Sequence, residues 1–482
     1  MARQTRRRRA FTGFALVTIM AAIAVGGWGL HRWAPYADEP TPPTVTWPKN
    51  VQPMVDFVES TTQLQFVAPV SIEFVADDDG YDERVAGPPQ QRTQADVDAA
   101  AVGDAVGRAF GLWRGDMSVM ESRDLVTGGA PYPATWLPDE NTVVVHAKDT
   151  DATLSPFTRT ELTVALTRAL DDQLFHTLQR LRAAPTTQDF QVLVSLSIGH
   201  AVWVRDRYVD HLSSDDADDL AGDEDAASTD YTQRVSTVPL AYRALHNADQ
   251  QLGPAFIEAL MQTDRSLIAA AFGDDTPAAL DQIDLPIRKY LRRDPLETVT
   301  APTGPADGTV QFSEQLGPFA VYLMLSTGMP ANEALTASDG WGNDRYTVYT
   351  VGGQVCTDLH LVADSRNDAD LLEDGLNGWA NARPAAAGAL VGRQGNDLYA
   401  TVCDPGITAL QPVPSEAAID QYFGRTRMFQ RRTGDSGKAD LSECVAVKFY
   451  ARFDLGHLGT LDPSIDLADE IDTIEQDCLD SL

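Results

Sequence analysis

Histidine, acid and cysteine side chains can hold a metal, relay a proton or cross-link a chain, and this sequence supplies eight histidines and four cysteines among 482 residues. Asp172 and His176 stand four apart, the spacing that puts two side chains on one helical face, within SPFTRTELTVALTRALDDQLFHTLQRL from Ser155 to Leu181. His200 follows in SLSIGHA, Ser195 to Ala201. Asp172, His176 and His200 are therefore the three residues that could converge on a metal ion. His146, at the end of TVVVH, reads as a surface or hydrogen-bonded histidine, and Ser195 near His200 does not amount to a catalytic triad. The chain has no phosphate-binding glycine loop, no GxSxG elbow and no CxxC spacing.

The element that must position these side chains is the 155–181 segment. Ser155-Pro156 supplies an N-cap and a proline suited to a first turn, and Leu162, Ala165, Leu166, Ala169 and Leu170 recur at helical spacing. From Val164 to Phe175, VALTRALDDQLF resembles the helix of a family of exported, actinobacterial-type zinc metallopeptidases whose pattern is HELTHALQDQxF. Leu166, Thr167, Ala169, Leu170, Asp172, Gln173 and Phe175 match it.

In that pattern two histidines one turn apart hold zinc and the glutamate beside the first is the general base; here those positions carry Val164, Arg168 and Ala165. The third ligand, the glutamate of a segment like ALVEGDA, falls on Ile198. GWGNDRY, Gly340 to Tyr346, resembles the family's GWGGDRY and is read as structural, with Trp341 a core anchor. The resemblance spans about residues 51 to 380.

The resemblance implies an α+β, zincin-like domain over 51–300, in which a mixed sheet borders a cleft floored by the central signature helix; a smaller α+β part would follow over 301–482. With every metal and base position replaced, it implies a pseudo-peptidase: no metal, no cofactor, no catalysis, and function by binding a protein or peptide in the cell envelope. Two alternatives stand beside it. One is a peptidase or other hydrolase using a displaced metal at Asp172, His176 and His200; the other is a purely structural envelope protein.

Composition is that of an ordinary globular chain, 43% hydrophobic and 22% charged, with a formal charge of −33. The main body is more acidic still, because Arg3, Arg6, Arg7, Arg8, Arg9 and Arg32 all lie in an acid-free amino-terminal stretch. Such a body repels polyanions, which excludes nucleic acid as a natural partner. Residues 1–10 read as a basic cytoplasmic tail and Phe11 to Leu30 as a transmembrane anchor of about twenty apolar residues. The arginines place the rest outside, with 31–50 a proline-rich stalk. A cleaved signal is the rival reading, although no good small-x-small site follows the apolar run.

Along the body, an amphipathic helix after Val51 precedes a strand over 69–75, Gln94 to Leu112 is a helix, and Thr142 to His146 is a strand. Asp189 to Tyr208 forms the second helix. His211 to Asp230 carries eight acids and no lysine or arginine, and is expected as a mobile solvated loop. Residues 239–295 are helical. Phe312 to Thr327 and Ala331 to Ser338 are expected as helices, and two strands turn at Gly352-Gly353. Asp368 to Ala380 and Ser415 to Phe423 are expected as helices, Ala389 to Gln394, Leu398 to Cys403 and Cys444 to Tyr450 as strands, and Ser464 to Cys478 as the last helix. Four cysteines allow three pairings; the favoured one joins Cys356 to Cys403 and Cys444 to Cys478.

Overall fold

The computed structural model describes residues 47–87, 91–128, 132–456 and 466–482. The expected basic tail, the 11–30 anchor and most of the stalk lie outside them; among the described residues no helix is long and apolar enough to cross a membrane. The last stalk residues are docked on the body, where Trp47 packs edge-on against Phe66 and Asn50 donates to the carbonyls of Asp149 and Ala152.

The chain is α+β. It opens with α1 (Gln52–Thr62), β1 (Ser71–Val75), α2 (Asp78–Ala86), α3 (Gln94–Phe110), α4 (Val119–Thr127), β2 (Ala134–Leu137) and β3 (Thr142–His146). The three strands make a mixed sheet with β3 in the middle, parallel to β1 and antiparallel to β2. Val143, Val144 and Val145 are all fully buried, which is why the run TVVVH does not alternate: a central strand covered on both faces has no polar side to show.

Helix α5 (Pro156–Phe175) begins where Ser155 accepts a hydrogen bond from the Thr158 amide. It packs on α1, β2 and β3 on one side and on α7 on the other. The expected helix to Leu181 is broken at His176, whose φ of 54° is left-handed, and resumes as α6 (Thr177–Ala183). Next come α7 (Thr187–Val209), α8 (Ser214–Arg234), α9 (Leu240–Thr263), α10 (Ser266–Phe272), α11 (Leu280–Asp284) and a π-helical turn, Pro286–Leu291. Helices α7 and α9 touch backbone to backbone. A Cβ on Gly199 would meet the Gly253 carbonyl carbon at 2.4 Å, and one on Gly253 would meet the Ser195 oxygen at 2.2 Å, so glycine is needed at both positions.

The remainder is β4 (Thr309–Glu314), α12 (Pro318–Leu325), α13 (Ala331–Ser338), β5 (Trp341–Val351), β6 (Gln354–Ala363), α14 (Arg366–Ala382), β7 (Leu390–Gln394) and β8 (Asp397–Cys403), then α15 (Glu416–Ser436), α16 (Ala439–Arg452) and α17 (Leu467–Leu479). The five strands form an antiparallel sheet in the order β4-β5-β6-β8-β7. Cys356 and Cys403 are directly opposed in β6 and β8 and form one disulfide, while Cys444 and Cys478 tie α16 to α17 with the other.

The boundary near residue 300 marks a change of architecture and not a break in the core. One cluster of buried apolar residues runs from Val51 to Cys478, and α3 lies against β6 and β8. Trp379 donates to the Phe110 carbonyl at 2.8 Å, and Arg108 grips Asp404 through two hydrogen bonds of 2.9 and 2.8 Å.

Three sequence expectations are corrected. The 211–230 segment is not a loop but the start of α8: Ser213 caps it, Asp215 and Asp216 lie at its positive end, and buried Leu220 together with ion pairs from Asp216 to Arg159 and from Glu224 to Arg205 holds it down. Acidity alone could not tell a solvated coil from a polar helix docked by charge. The helix expected over 312–327 is β4 followed by α12, because the β4 residues pair with β5 and the helix begins only at Pro318, after Gly317 at a φ of 82°. The strand expected at 444–450 lies inside α16, where Val445, Ala446, Phe449 and Tyr450 are buried; their β-favouring types yield to packing against α13 and α15.

Candidate functional site

On α5, Thr160, Thr163, Thr167 and Asp171 follow the 3-4-4 spacing of one helical face and are all fully buried. Beside this stripe runs a second, Glu161, Val164, Arg168 and Asp172, in which only Glu161 is buried and the other three are half-buried. Helix α7 has a matching half-buried row, Ile198, Val202, Arg205 and Val209. A 3.2 Å contact between Arg205 and Glu161 joins the two rows. Val164, Arg168 and Ile198, the positions singled out by the resemblance, thus lie on adjoining half-exposed strips of packed helices, and Ala165 is buried.

At one end the two strips are bridged by charge. Arg205 reaches Glu161 on α5, Glu224 on α8 and, at 3.4 Å, its neighbour Asp206. Burial pushes the Glu161 carboxyl up to about 7 against the pull of Arg205. Toward the other end stands Arg168, whose Nε is enclosed and has no hydrogen-bond partner. Desolvation lowers its pKa while Asp171 and Asp172 work the other way.

The three residues considered for a displaced metal do not come together. His200 is buried and its Nδ1 lies 2.9 and 3.1 Å from the two Asp171 oxygens. Asp172 turns to α6, accepting from the Leu178 amide at 2.7 Å and the Thr177 hydroxyl at 3.1 Å. His176 caps α5 and is exposed. Among the described residues, no group of three or more histidine, cysteine or acidic side chains is placed to hold a metal ion. His146 is half-buried at the surface, 3.1 Å from exposed Asp78, with its ring tilted against that of Tyr81.

Sequence reasoning did not find the Asp171–His200 pair, the Glu161–Arg205–Glu224 clasp, or buried Asp249, whose carboxylate accepts from the Ser195 hydroxyl at 2.7 Å. All three join different helices. For Asp171 a local signal existed: it falls on a fully buried position of the helical wheel, where an acid requires a partner.

GWGNDRY fulfils its structural reading. Trp341 is fully buried and donates to Asp344, which also accepts from the Leu316 and Gly317 amides at 2.7 and 2.8 Å and so fastens the start of α12 to β5. Burial raises the Asp344 carboxyl to about 6.

Compared with known proteins, residues 308–406 match a family model described as a domain of unknown function, DUF8575. The match runs from β4 through β8, the five-stranded sheet with its intervening helices. No curated protein and no solved structure matches the chain.

Proposed function

We propose that this chain is a membrane-anchored, extracytoplasmic pseudo-metallopeptidase that binds a protein or peptide partner in the cell envelope without hydrolysing it. The observation that carries the reading is the pair of adjoining half-buried strips on α5 and α7, beside the mixed sheet on which α5 packs. They carry valine, arginine and isoleucine at the positions that the resemblance makes ligands, with alanine at the base position. A guanidinium repels a cation and aliphatic side chains offer it no lone pair, so this set does not hold zinc. Two disulfides suit an oxidising compartment outside the cytoplasm.

The test is to restore the site. Val164→His, Arg168→His and Ile198→Glu put three ligands on the facing strips, and Ala165→Glu would add the base. Structural zinc sites contribute about 10–16 kcal/mol of apparent binding free energy, and absent supporting hydrogen bonds weaken a site about 10–100-fold. The folded triple variant is expected to bind zinc at micromolar concentration or tighter, and the parent is not. Equal uptake by the two would show the helix to be wrongly aligned, and stoichiometric zinc in the dialysed parent would end the reading.

A further inference from the structure

A cavity of about 600 Å³ opens at the surface where the end of α9, the π-helical turn, the α15–α16 junction and residues 479–482 meet. Its volume is that of a small-molecule pocket, about 300–1,000 Å³. Ile287, Leu291, Leu441, Leu479 and Leu482 give it an apolar lining, and the last two are 50% and 58% exposed. Both walls are held in place. Cys478 is fully buried and disulfide-bonded to Cys444 on α16, and the Ser481 and Leu482 amides donate to the Cys478 carbonyl at 3.1 Å, which keeps the two leucines at the cavity. On the opposite side, buried Glu443 accepts from the Ile287 and Arg288 amides at 2.8 and 3.0 Å and fixes the π-helical turn. The charge in the cavity is not met within the chain. Arg292 and Lys438 line it against one acid, Asp440. Their neighbours Arg288, Lys289 and Arg293 are all ion-paired, to Asp339, to Asp281, Asp294 and Asp364, and to Asp275. Among the described residues neither Arg292 nor Lys438 has a carboxylate within ion-pair distance. On a chain of formal charge −33, two cations are thus left without acids beside an apolar wall.

We propose that this cavity binds a single-chain amphiphile, with its anionic head on Arg292 and Lys438 and its aliphatic chain along the leucines. A small inorganic anion would leave the apolar lining in water, and a neutral hydrocarbon would leave the two cations unanswered; an amphiphile meets both. Each methylene covered by apolar side chains should raise affinity about fourfold. The site is built from α9, the π-helical turn, α16 and α17 and does not depend on the reading of α5 and α7.

The experiment irradiates the full chain, in nanodiscs of a neutral phospholipid, with dodecanoate carrying a terminal diazirine, and reads the labelled peptides by mass spectrometry. Labelling is expected to concentrate in residues 287–292, 437–441 and 479–482. Excess dodecanoate or dodecyl phosphate, which share the anionic head, should suppress it, and octanoate, four methylenes shorter, should compete at least about tenfold less well. A diazirine probe of the same chain length with a trimethylammonium head should label these segments about tenfold less, as should the dodecanoate probe on Arg292→Gln with Lys438→Gln, a factor of the size that two exposed charge contacts supply. Both residues are exposed, so the fold is kept. Labelling with no excess at the three segments, equal labelling by the two heads, equal competition by octanoate, or a double variant labelled like the parent would each overturn the site. Protection by inorganic phosphate as effective as that by dodecanoate would reassign the cavity to a simple anion and refute the amphiphile.

Discussion

Asp249 offers the sharpest quantitative test of how α7 packs on α9. It lies on α9 with 6% exposure, and among the described residues it faces no cation and has the Ser195 hydroxyl as its one side-chain partner. Burial raises its carboxyl to about 7 from the usual 3.8, with the Ser195 hydrogen bond pulling slightly down. The folded chain therefore holds a proton that the unfolded chain releases. This group's favourable contribution is complete below about pH 4, declines as pH rises toward 7, and is gone once the folded carboxyl ionises. At about 1.36 kcal/mol per pKa unit, the whole swing is about 4 kcal/mol. Asp249→Asn keeps an oxygen to accept from Ser195 and removes the titration. Urea unfolding of both proteins between pH 4 and pH 8 isolates the effect, since other groups cancel in the difference. Relative to the parent, the variant should gain about 4 kcal/mol across that range, whatever its offset at pH 4. A difference that stays flat to within about 1 kcal/mol would refute the burial of Asp249 and the α7–α9 interface built around it.

Two further outcomes are expected. Gly199→Ala drives a methyl into the Gly253 backbone at 2.4 Å, a clash no rotamer relieves, and should destabilise the chain by at least about 1–3 kcal/mol, read as a lower urea midpoint at unchanged slope. Helix α8 buries only Leu220 and depends on ion pairs, so raising salt from 0.05 to 1 M, or the substitution Glu224→Gln, should speed amide exchange over 214–234 without changing that of α5; unaltered α8 protection would show that it is not charge-held.

What the sequence disclosed was what local physics decides. TVVVH maps onto β3 residue for residue, because a run of valines bounded by polar residues has few other uses. Gly352-Gly353 made the β5–β6 turn readable, and both glycines have positive φ, 58° and 82°. Of the three pairings four cysteines allow, the favoured one is present, although Cys444 lies on helix α16 and not on the expected strand. Failures occurred where partners elsewhere in the chain decide: α8 needs Arg159 and Arg205, β4 needs the edge of β5, and residues 444–450 fold as helix under α13 and α15. Val164, Arg168 and Ile198 were named from the resemblance alone, whereas Asp171–His200 and Glu161–Arg205 are separated by 29 and 44 residues and left no pattern to read.

Helical periodicity also separates the residues that hold α5 and α7 together from those on the strips beside them. The residues that hold α5 and α7 in place are not those that would do the chemistry. Asp171 and His200, the Thr160–Thr163–Thr167 stripe, the Gly199–Gly253 contact and the Ser195–Asp249 hydrogen bond all lie within helix interfaces, whereas Val164, Arg168 and Ile198 occupy the half-exposed strips beside them. Two side chains three or four apart share a face, and a shift of one residue turns the face by about 100°. Substitution on the half-exposed strips therefore disturbs the packing least, and the helix pair can keep its geometry while those positions change.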